Sequence, residues 1–144
     1  MASKREQILS ALFTGLHTLQ SGTVNVWRNQ DKPQKVESGM IIMHDGVSEE
    51  PDVLLSPLTY IFQHLVHVEV LVQAPDNATR DSALDSLLSS IGNIVTGNRS
   101  LGGLAEWTEC NAPTFTQEPI EGAPTVKMAE ITIMVRFVTN DPLN

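Results

Sequence analysis

A single cysteine, Cys110, occurs in the 144 residues, so no internal disulfide is possible and folding does not depend on an oxidising compartment. Basic charge is also short: nine Lys and Arg stand against seventeen Asp and Glu, a net charge of −8. Binders of nucleic acid usually gain affinity by neutralising phosphates with a basic face, so DNA or RNA is not expected as the main partner. No apolar run approaches the ~20 residues that span a bilayer, and His, Gln and Glu break the longest ones. The opening MASKREQILSALFTGL has spaced apolar residues and no small-x-small cleavage pattern. It reads as an amphipathic helix of a cytoplasmic product rather than a signal peptide.

Apolar residues make up 41% of the chain. Surface scaling for this mass gives ~7,300 Å² folded and ~22,900 Å² extended, so ~68% of the extended surface is buried. That supports one hydrophobic core and one domain over residues 1–144. Charge is unevenly spread. Residues 1–44 carry five basic and three acidic groups, residues 45–85 one and eight, residues 86–144 three and six. The acidic middle third either faces a basic partner or keeps a surface soluble.

Ser3 and Glu6 form a capping-box pattern ahead of Ile8, Leu9, Leu12, Phe13, Leu16 and Leu19, which predicts a helix over about 3–20. Alternation in Val24–Arg28 predicts a short strand, and residues 29–39 read as an exposed loop with Pro33. Met40–Met43 is a second short strand closed by an Asp45-Gly46 turn. A long strand is expected over 61–73, with Val66, Val68, Val70 and Val72 on one face and Leu65, His67, Glu69 and Leu71 on the other. Leu84, Leu87, Leu88, Ile91, Ile94 and Val95 stripe a helix over about 78–96, stopped by Thr96-Gly97-Asn98. A strand follows over 105–111. Three Pro and one Gly make residues 112–125 a long exposed loop without regular structure, and 126–139 closes the fold as a strand. The fold class is therefore α+β: a mainly antiparallel or mixed sheet, two helices on one face, and long exposed loops.

A search for chemistry finds none. His64 and His67 stand three apart on a strand and point to opposite faces, and His44 sits beside a turn, so no metal site is expected. Cys110 has no CxxC partner and reads as a structural thiol. Walker, GxGxxG and GxSxG patterns are missing, and Leu101-Gly102-Gly103-Leu104 follows a helix rather than opening one. The pairs Glu106/Glu109 and Glu118/Glu121 lie on exposed stretches with nothing to raise a carboxyl pKa. No catalytic residue, metal or cofactor is assigned. A structural or binding role is favoured over catalysis.

The segments SKREQILSALF, SPLTYIFQHLVHVEVLVQ, RDSALDSLLSSIG, RSLGGLAEWTE and TNDPL follow one another in a recognisable order. Together, from Ser3 to Leu143, they resemble the tail-terminator (tail-completion) proteins of long-tailed bacteriophages and gene transfer agents. The resemblance implies a non-enzymatic virion protein at the neck end of the tail, assembled in the host cytoplasm. It would form a ring of identical copies, expected to be hexameric. The ring would cap the tail tube protein, stop its polymerisation, meet a neck or head-completion protein, and let DNA pass without specific binding. No membrane partner is implied, and the family offers no residue signature to carry over.

Residue types enriched at interface anchors suggest Trp27, Arg28, Trp107, Phe115 and Ile120 as candidate subunit or tube contacts. Core packing at a sheet edge is the competing role for both Trp. A neck, connector or minor tail protein of similar size remains open. So does a small ligand-binding domain or enzyme, which would need a pocket around His67, Glu69 and Thr132.

Overall fold

The computed structural model describes residues 2–31, 38–118 and 125–144. Helix α1 (Lys4–His17) starts where Ser3 Oγ accepts the Glu6 amide at 3.1 Å. Glu6 does not reach back to complete the box; its carboxylate goes to Arg28 and Ser10 instead. The strands are β1 (Val24–Arg28), β2 (Gly39–Ser48), β3 (Asp52–Leu55) and β4 (Leu58–Gln73). Helix α2 (Asn77–Gly97) follows, capped by Asp76 accepting the Thr79 amide. Asn98 ends it, at the stop that the sequence predicts. A 3-10 turn at Leu101–Gly103 leads to β5 (Trp107–Cys110), β6 (Thr114–Glu118) and β7 (Val126–Thr139).

One seven-stranded sheet runs β1-β2-β4-β7-β5, with β3 also pairing β4 and β6 also pairing β7. Among the described residues, only β1 with β2 is parallel; the remaining pairings are antiparallel. Strands β4 and β7 form the spine, in register from Tyr60 opposite Thr139 to Gln73 opposite Val126. The α+β architecture with two helices on one face is as expected. Period-two alternation explains it: Val66, Val68, Val70 and Val72 join Ala129, Ile131, Ile133, Val135 and Phe137 on a single face. Ile8, Leu9, Leu12 and Leu16 of α1 and Leu84, Ile91 and Val95 of α2 close over them. Each such side chain contributes about 1.5–3 kcal/mol by leaving water.

Three expectations need correction. The segment 112–125 is not structureless, because Thr114–Glu118 pairs with Val126–Glu130 along the sheet edge. Pro113 and Pro119 bracket that strand without entering it, and an edge strand tolerates proline at its ends. Asp45-Gly46 does not end β2. It is a bulge: three residues advance from His44 to Val47 while β4 moves only two, from His67 to Leu65. Gly46 has φ +74°, and a Cβ there would lie 1.8 Å from the Leu65 carbonyl oxygen, so no other residue fits. Finally, β4 begins at Leu58 rather than Ile61. Its first residues pair with β3 as a hairpin through the Ser56–Pro57 turn.

Candidate functional site

The bulge reverses the alternation of β2. Before it, Ile41 and Met43 point toward the helices; after it, Ser48 does, opposite His64. Asp45 and Ser48 therefore meet side chains from α1, β1 and β4 on the helix side. Arg28 is clamped there. Its Nη1 and Nη2 donate to Glu6 Oε1 and Oε2 at 3.0 and 2.9 Å, and its Nε donates to Asp45 Oδ1 at 2.8 Å. The guanidinium holds the Glu6 and Asp45 carboxyls below the usual carboxylate range and is itself raised by them. Arg28 thus ties the start of α1 to the β1–β2 edge.

Beside it, His64 is 4% exposed. Its Nε2 lies 2.5 Å from the Asp45 carbonyl, which can only accept, so Nε2 carries the proton. Nδ1 then accepts from Ser48 Oγ at 2.7 Å, and Ser48 Oγ accepts from Arg5 Nε at 3.3 Å. Burial pushes the His64 pKa down and keeps the ring neutral. Both nitrogens serve structure.

The other sheet face is divided. Met40, Ile42, Leu71, Val126 and Met128 form a small second apolar cluster, and Trp27 packs on it. Next to it lies the polar patch anticipated around His67, Glu69 and Thr132. Thr132 and Asn111 exchange hydrogen bonds, the Thr132 amide donating to Asn111 Oδ1 at 2.7 Å and the Asn111 amide to the Thr132 carbonyl at 3.0 Å. Glu69 stands directly opposite Glu130, and His44 Nε2 is 3.4 Å from Glu69 Oε1. His67, Glu69, Asn111, Glu130 and Thr132 border an open depression of about 290 Å³ that includes Thr114. Among the described residues, no group of three or more His, Cys, Asp or Glu is arranged to hold a metal. Cys110 is half-buried against the core, and burial raises its thiol pKa.

The interface candidates fall on two opposite edges. Trp27 and Arg28 belong to β1, on opposite faces of it. Trp107 on β5 is 44% exposed, with the Arg99 guanidinium 4.3 Å above its ring and its Nε1 donating to Glu109 Oε2 at 3.2 Å. Phe115 on β6 is 54% exposed, with Lys127 Nζ 5.0 Å from its ring centre. Ile120 lies outside the described residues. The fold therefore joins none of these residues into one patch. It gives the chain an edge with an engaged arginine and a half-buried Trp, and another edge with two open, cation-capped aromatic rings.

What sequence reading missed is the β3–β4 hairpin. Val53, Leu54, Leu55 and Leu58 are 45%, 55%, 82% and 47% exposed. The signal was present as a Val-Leu-Leu run beside Pro57, but the proline reads as a break between elements rather than as a hairpin tip.

No family model matches the chain, and no curated protein matches it. Among solved structures, a chain of "Virion of native gene transfer agent (GTA) particle" superposes with a TM-score of 0.49 at 9% identity, covering 90% of this chain and 93% of that one. A likeness that slight carries no conclusion about function.

Proposed function

We propose that this chain is a non-catalytic ring subunit of a tailed virion, one that caps the tail tube, halts its polymerisation and offers the surface that joins tail to head. The observation carrying this reading is the order and spacing of the five segments quoted above, which span Ser3 to Leu143. The two unlike sheet edges support it, because a heterologous contact repeated around an axis closes a ring. Six copies are proposed, seated on tube protein on one side and a neck protein on the other. A net charge of −8 per copy would line a passage with acid, repelling phosphate so that DNA slides through.

Deleting the gene tests this: abnormally long tails without heads are expected, whereas head-joined tails of normal length refute the role. Cross-linking in assembled particles separates a terminator from a neck protein, since a terminator links mainly to tube protein. The depression beside His67, Glu69 and Thr132 favours a second reading, a small-ligand site. A thermal-shift screen against metals and common metabolites checks it, and a terminator should show no saturable shift.

A further inference from the structure

Among the described residues the β3–β4 hairpin is an apolar arm left open. All four residues of β3 are exposed, and β3 pairs only with the first residues of β4. Val53 lies opposite Tyr60 and Leu55 opposite Leu58. These four share the helix-side face with Phe62 and Phe137 and so prolong the core row beyond the helices. Three of the eight large apolar side chains exposed among the described residues, Val53, Leu55 and Leu58, sit on this face of the arm, and a fourth, Leu54, on its reverse. Contiguous exposed apolar surface of this kind marks an interaction site.

The same chain carries a matching receptor at the far end of β4. An open groove of about 230 Å³ lies between α2 and the β1–β2 end, lined by Val24, Gly39, Val72, Ala83, Ser86 and Leu87. Its floor is open because Gly39 has no side chain; a Cβ there would come within 3.2 Å of Val24 and 3.5 Å of Leu87, partly filling the groove. The arm's root is acidic, with Glu49, Glu50 and Asp52. The groove's flank carries Lys127, opposite Val72 and paired with Asp81 at 2.7 Å. Leu58 and Val72 are fourteen residues apart on one strand, roughly 45 Å at the usual rise, so an arm cannot fold back into its own groove.

We infer that the Leu55–Leu58 tip of one copy inserts into the α2–β2 groove of a second copy, a head-to-tail contact between identical chains. Arm and groove are different surfaces, so the contact is heterologous and leaves each copy with a free arm and a free groove for further neighbours. This deepens the ring reading by naming the contact between copies, and it rests on that reading only for the number of copies.

The test uses the full chain. Sedimentation should show concentration-dependent self-association that L55D/L58D weakens by about 100-fold, as expected for two buried anchors. Ser86→Trp, which fills the groove from an exposed helix position, should weaken it similarly. Both variants should keep the circular dichroism of the parent, because neither touches the core. In a Cys110→Ala background, mixed L55C and S86C chains should join through a short bismaleimide, while L55C alone should not. Association unaffected by L55D/L58D overturns the inference, as does L55C joining mainly to itself, or a parent chain that stays monomeric at its highest soluble concentration. Tail length after gene deletion judges the ring reading separately. Normal-length tails from L55D/L58D beside overlong tails from the deletion would defeat the arm and spare the ring.

Discussion

The two faces of the sheet are made by the same strands, yet they have opposite characters. Along β4 and β7, even positions of one and odd positions of the other lie under α1 and α2, where Val66, Ile133 and Val135 have no accessible surface. One residue away, His67 and Glu130 face solvent, and Thr132 and Met134 are half-buried. Backbone pairing is shared by both faces, so what separates them is the side-chain burial that the helices provide. Stability should therefore reside mainly in the helix-covered face, with a smaller share from the Met40, Ile42, Leu71, Val126 and Met128 cluster, while the polar part of the other face, the edges and the arm are free to carry contacts.

The sharpest way to break this division is at the bulge, which changes the face to which β2 contributes. Gly46→Ala drives a methyl into the Leu65 carbonyl in a left-handed conformation. A loss of about 3 kcal/mol or more in urea unfolding, or failure to fold, is expected. Next is a matched pair on β7. Ile133→Ala should cost about 3 kcal/mol, whereas Thr132→Ala, its neighbour on the open face, should stay within about 1 kcal/mol. Equal effects would mean that the open face is as much a core as the covered one.

Acid sharpens the contrast further. The folded pKa of His64 is depressed, so the unfolded chain binds the proton more readily and stability is lost as pH falls below about 6.5. Glu6 and Asp45, also depressed, add a second loss below about pH 4.5. Urea midpoints between pH 7.5 and 5 should decline in the parent and flatten in His64→Gln. A smaller effect is expected from Arg28→Met. Its carboxylate partners are largely exposed, so about 1 kcal/mol is a suitable scale, and high salt should shrink it. Smallest of all, Trp107→Ser and Phe115→Ser should change stability by about 0.5 kcal/mol or less while impairing assembly with tail tubes, measured by co-sedimentation.

Much of this division is legible in the residues themselves. The valines of β4 and the alternating Ala129–Phe137 series announce a covered face, and the leucine stripes of α1 and α2 announce the cover. Three things were not legible, each for a physical reason. A glycine with positive φ serves a turn and a bulge equally well, so Asp45-Gly46 looks like the end of a strand. A short edge strand needs only one partner, so Thr114–Glu118 can form between two prolines that appear to forbid it. The Arg28 clamp joins groups 22 and 17 positions away in the chain, a proximity that no local pattern encodes. As for the interface candidates, residue type picked out Trp107 and Phe115, which the fold leaves exposed on β5 and β6. It did not reveal that Arg28 is already occupied or that the most open apolar surface lies on the hairpin.

The chain's two lateral rims are chemically different, with β1 and its clamped, half-buried guanidinium on one and the exposed, cation-capped indole and phenyl rings of β5 and β6 on the other. A circuit in which such pieces meet through two unlike surfaces, as in the proposed ring, has a built-in direction of travel: clockwise and anticlockwise are distinguishable from within any one copy. Two-fold dimers, in which like surface meets like, gain nothing from that arrangement. A single defective copy would open the two equivalent seams that flank it, which makes the whole circuit as sound as its weakest member.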